Sequence, residues 1–135
     1  MVQLKGYKVN KLELENKVAN GTQLKLNNQM KYNVNYVDGD SVCVGNLEFR
    51  IVDENQNPFE IRIEMVAQFG YEPGDDKADI HVQSFDQLFP FLRQIIHSAT
   101  SFTGMPGLLI PIVHLNPDTV KVNNKTDENE SSPLN

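Results

Sequence analysis

The chain has 135 residues, with 18 Asp and Glu against 12 Lys and Arg, a formal charge of −6 at pH 7 and a pI near 4.9. That length fits one domain with a modest core, and the acidic balance argues against nucleic acid or an anionic membrane surface as the main partner, since both reward a basic face. No window approaches the roughly 18 apolar residues of a membrane-spanning helix, and the N-terminal MVQLKGYKVNKLELENK has no apolar signal region, so a cytoplasmic protein without membrane insertion is expected.

Along the chain, apolar residues fall first at Leu4, then at Tyr7 and Val9, then at Leu12 and Leu14, an alternation that changes parity twice. This predicts a bent or bulged strand at a sheet edge. The cluster Asn16 to Thr22, with Asn20-Gly21, reads as a turn. A clean period of two follows, with Leu24, Leu26, Met30, Tyr32, Val34 and Tyr36 on one face and Lys and Asn side chains on the other, the pattern of a strand covering a core on one side. Asp38-Gly39-Asp40 supplies a hairpin turn. Val42 and Val44 then fall on even positions but Leu47, Phe49 and Ile51 on odd ones, which predicts a bulge at Gly45. Cys43, the one cysteine, lies in this apolar strand and reads as a small buried hydrophobe. After the polar turn Asp53 to Asn57, Pro58 opens the longest strict alternation, Phe59, Ile61, Ile63, Met65, Ala67 and Phe69, with Glu60, Arg62 and Glu64 on the wet side.

The run GYEPGDDKAD, from Gly70 to Asp79, reads as a solvated loop. Ser84 with Gln87 forms a capping-box pattern, which predicts a helix starting near Ser84 or Leu88 with Pro90 in its first turn. Leu88, Leu92, Ile95, Ala99 and Phe102 make one apolar stripe, to be packed on the chain's own sheet or on a sister subunit. Gly104 is a natural stop, and Met105 to Leu115, with Pro106, Gly107 and Pro111, is an apolar extended strap outside any ladder. The predicted architecture is α+β, with four antiparallel strands and one long C-terminal helix. A domain over residues 1–117 and a disordered polar tail over 118–135 complete the expectation.

No catalytic constellation is legible. His81, His97 and His114 stand in separate elements with no Cys or His at ligand spacing, and the carboxylates lie on wet strand faces or in turns. There is no phosphate-cradling glycine loop and no nucleophile elbow. The reading is therefore of a protein that is not an enzyme and takes no cofactor or metal.

The words LFPFLRQII, carrying Leu88-Phe89-Pro90-Phe91 and Arg93, and GMPGLLIPIVHLNP, carrying Leu108-Leu109-Ile110-Pro111-Ile112, resemble the helix start and the strap of the SecB family of export chaperones. PFEIRIEMVAQFGY resembles that family's last strand. The resemblance covers roughly Gly6 to Pro117, and its specific part is about thirty residues. It implies a Greek-key sheet, a helix packed for oligomerisation through Leu88, Leu92, Ile95, Ala99 and Phe102, dimers paired into a tetramer, and a groove that holds unfolded polypeptide without nucleotide. The matching client-binding positions are Leu24, Leu26, Phe69, Tyr71, Phe89 and Phe91.

Two departures qualify what carries over. The family's acidic sheet face, which docks on the translocase motor ATPase, is mixed here, with Lys11 and Arg62 among Glu13, Glu15, Glu60 and Glu64; Glu13, Glu15, Glu60, Arg62 and Glu64 form the corresponding partner-docking face. A second C-terminal helix is not legible in Pro117 to Asn135. The expected function is an ATP-independent holdase for unfolded polypeptides, serving protein export. Its alternatives are a dedicated chaperone of an antitoxin in a toxin–antitoxin system and an oligomeric adaptor without chaperone activity.

Overall fold

The computed structural model describes residues 1–37, 39, 41–115 and 132–134, the last three as backbone. Four long strands, β1 (Gln3–Asn16), β2 (Leu26–Val37), β3 (Val42–Asp53) and β4 (Phe59–Gly70), precede one helix, α1 (Lys77–Phe102), and a short strand, β5 (Ser132–Leu134), follows it. All pairings are antiparallel and the sheet order is β1-β4-β3-β2-β5. A meander of β2, β3 and β4 with β1 returning beside β4 is a Greek key. Of the expected tail, residues 132–134 form β5, and the rest lies outside the described residues.

Period-two patterning explains the layers. The odd residues of β4 and β3, from Phe59 to Phe69 and from Cys43 to Ile51, are buried on the inner face, where α1 supplies Ile80, Phe85, Leu88, Phe89, Leu92 and Ile96. Each such fully buried large side chain contributes about 2 kcal/mol relative to exposure. β1 shows register shifts between Leu4 and Gly6 and between Val9 and Lys11, the two parity changes read from the sequence. They keep Leu4, Tyr7, Val9, Leu12 and Leu14 on the inner face, opposite the odd residues of β4.

The bulge expected at Gly45 is absent: Gly45 pairs in uninterrupted register with Val34 on one side and Ala67 on the other. Val42 and Val44 instead alternate with the buried Cys43 and Gly45 and stay only partly buried on the outer face. The glycine has a packing reason, since a Cβ there would stand 2.5 Å from the Tyr32 hydroxyl and 3.0 Å from the Phe69 ring.

The helix begins earlier than expected. Asp76, with extended backbone angles, is its N-cap residue, and the Ile80 N–H donates to the Asp76 carbonyl at 2.9 Å. Ser84 is not a cap: it is buried mid-helix, its hydroxyl donating to the His81 carbonyl at 3.0 Å and lying 2.6 Å from the Tyr32 hydroxyl. Pro90 consequently sits in the helix interior rather than its first turn. Gly104, with φ of +91°, ends the helix as expected, and its N–H donates to the Ser101 carbonyl.

Candidate polypeptide-binding surface

Beyond Gly104 the strap, residues 105–115, turns back and runs beside α1 toward the helix start. Three contacts fix its course. The Leu108 N–H donates to Thr100 Oγ1 at 2.8 Å, the Arg93 Nε–H donates to the Ile110 carbonyl at 2.9 Å, and Gly107 packs so closely on the His97 and Ser101 side chains that a Cβ there would force them to move. Ile110 and Leu115 turn into the core, whereas Leu109 and Ile112 remain 70% and 60% exposed. Between strap and helix lies a recess of about 300 Å³ lined by Asp86, Phe89, Pro90, Arg93, Ile112, Val113 and His114. Its walls are largely apolar, with the polar groups Asp86, Arg93 and His114 among them.

A second apolar area follows the β1 edge, where Tyr7 and Leu12 are exposed on the inner face. The Tyr7 ring meets Phe91 at 4.8 Å between centroids, and Phe102 at the helix end is 88% exposed. One helix therefore leaves part of the sheet's inner face uncovered on this side.

The outer face is charged in cross-strand rows. Glu15 stands opposite Glu60, Glu13 opposite Arg62 and Lys11 opposite Glu64; Arg62 and Glu64 are in turn opposite Arg50 and Glu48. Glu60 takes both guanidinium groups, from Arg50 at 2.8 Å and Arg62 at 3.1 Å, and its hydrogen bond to Arg50 holds its carboxyl below the usual range. These are half-exposed pairs that order the surface more than they stabilise it. Among the described residues, no group of three His, Cys, Asp or Glu could hold a metal ion, and no helix is long and apolar enough to cross a membrane.

No protein-family model and no curated protein sequence matches the chain. Solved structures do. The SecB-like chaperone Rv1957 of Mycobacterium tuberculosis, in complex with a ChAD peptide from the Rv1956 HigA1 antitoxin, superposes with a TM-score of 0.65 at 18% identity, over 83% of this chain and 87% of that one. A protein of unknown function from Streptococcus agalactiae gives a TM-score of 0.51 at 20% identity, over 83% and 98%. The chain has the SecB-like fold.

Within that fold the six expected client-binding residues do not converge on one place. Phe69 and Phe89 are buried in the core, Phe89 stacked on Phe85 at 5.0 Å, although Phe89 also reaches the wall of the strap recess. Phe91 belongs to the β1-side patch with Tyr7. Tyr71 is half-buried near the start of α1, its ring edge-on to Tyr36 at 5.8 Å, with Lys77 over the Tyr36 ring. Leu24 and Leu26 are half-buried beside the start of β2, where Asp53 takes the Lys25 N–H at 2.7 Å and the Asn57 N–H at 3.0 Å.

Of the stripe assigned to oligomerisation, Leu88 and Leu92 are fully buried against the chain's own sheet, Ile95 and Ala99 are half-buried, and Phe102 projects outward. The five residues of the expected docking face do share the outer face of the sheet. Sequence reading missed Tyr7, Leu12, Leu109 and Ile112 as surface residues. The signal for the first two was the strand's broken parity, which marks an edge that a single helix cannot cover.

Proposed function

We infer that the protein is an ATP-independent holdase that keeps unfolded polypeptide from aggregating, in the cytoplasm. The observation that carries this reading is the strap: it presents Leu109 and Ile112 to solvent above an apolar recess, in a fold shared with a chaperone solved with a bound peptide. Non-directional apolar contacts accept varied sequences, and the rim groups Asp86, Arg93 and His114 orient the backbone or a charged side chain. A holdase needs area and no bond-making chemistry.

The client surface is made by the recess with Phe89 and by the Phe91 and Tyr7 patch, while Tyr71, Leu24 and Leu26 offer separate half-buried contacts and Phe69 stays in the core. Self-association covers part of the β1-side patch through Ile95, Ala99 and Phe102, and a dimer of dimers fits the fold. Two client classes remain in play. The peptide-bound neighbour favours an antitoxin, while the mixed charge of Glu13, Glu15, Glu60, Arg62 and Glu64 disfavours docking on a translocase motor for export.

The test is light scattering from a chemically denatured client diluted into buffer without nucleotide. Stoichiometric protein is expected to suppress aggregation, and Leu109→Ser/Ile112→Ser to lose most of that effect while keeping the wild-type circular dichroism. A folded oligomer that leaves aggregation unchanged sinks the holdase and leaves the adaptor.

A further inference from the structure

The sheet has two outer edges and treats them differently. β1 is broken by its two register shifts and carries Lys5, Lys8, Lys11, Glu13 and Glu15, devices that stop a second sheet from pairing with it. β2 has neither defence. It pairs with β3 from Leu26 to Val37 without a shift, and its only charge is Lys31 among Asn, Gln and apolar residues. Straight, regular and nearly uncharged, such an edge is a template for another strand. In the structure that strand is supplied by the chain itself: β5 pairs antiparallel with it at Met30↔Leu134, Lys31↔Pro133 and Tyr32↔Ser132.

We propose that the free edge of β2 is a strand-accepting site whose resident occupant is the chain's own C-terminal segment Ser132–Leu134. The residency is weak by construction. Among the described residues, β5 pairs with three of the twelve residues of β2, and its central residue, Pro133, has no N–H to give, so within Ser132–Leu134 the main-chain donors are Ser132 and Leu134. Residues 116–131 separate the segment from Leu115, a length that reaches at most roughly 55 Å when extended, ample for release and return. Vacated, the edge takes another extended backbone in the same register, because main-chain bonds make no demand on sequence. The argument uses no property of the strap recess and stands or falls separately from the holdase reading.

Hydrogen exchange on the full chain tests it. Among β2 amides that point away from β3, those in Met30–Tyr32 are expected to be protected and those from Val34 to Val37 to exchange freely. The double variant Ser132→Pro/Leu134→Pro leaves no donor at any of the three paired positions. It should speed exchange at Met30–Tyr32 at least tenfold, with β3 and β4 core amides unchanged as the control for folding. Equal exchange in the two chains overturns the proposal. So does protection that grows with protein concentration, which would assign the strand to a second copy.

Discussion

His81 shows how one buried side chain sets a pH limit on this protein. It lies edge-on to the Tyr32 ring at 5.1 Å, and burial pushes its pKa down to about 4. The folded chain keeps the imidazole neutral while the unfolded chain protonates it near 6.5, so stability is full above about 6.5 and falls as pH drops toward 4. The loss is on the order of 3 kcal/mol at most. Urea midpoints measured between pH 7 and pH 4.5 should decline in the wild type and decline less in His81→Phe, which keeps an aromatic edge and cannot take up the proton. Burial acts on Cys43 in the opposite direction, raising its thiol to about 12 and leaving it protonated and unreactive.

At the scale of the element, the strap depends on Thr100. This buried threonine donates to the Ile96 carbonyl at 2.8 Å and accepts the Leu108 N–H at 2.8 Å, tying helix and strap through one oxygen. Thr100→Val keeps the shape and removes the acceptor. A loss of roughly 1–3 kcal/mol is expected, with faster exchange of the Leu108 amide as the local readout. The strap's existence was legible in the sequence because Pro106, Gly107 and Pro111 forbid a ladder, and the strands were legible because each shows one face to a single helix. The helix start was not, since Asp75, Asp76 and Lys77 look like loop and only Ile80 marks the turn toward the sheet. Nor did periodicity separate surface from core: Phe69 and Phe91 are both aromatic and well placed, and only the packed sheet decides that one is sealed and the other meets Tyr7.

For the whole molecule, the proposed self-association rests on the uncovered part of the inner face. Tyr7 and Leu12 on β1 and Phe102 at the end of α1 lie exposed, and apolar area left open in this way suits a contact between proteins. Phe102→Asp is expected to lower the mass seen by light scattering at fixed concentration while leaving circular dichroism unchanged. An unaltered mass would place the subunit contact elsewhere.

Pro90 carries a consequence for the helix. Proline gives no N–H, so the Asp86 carbonyl one turn earlier lacks its helical donor, and Asp86 and Pro90 both line the strap recess. The helix wall of the recess is thus the one turn of α1 in which a main-chain carbonyl is denied its donor by a proline ring. Pro90→Ala should return that carbonyl to the helix and raise stability by about 1–3 kcal/mol, read as a higher urea midpoint.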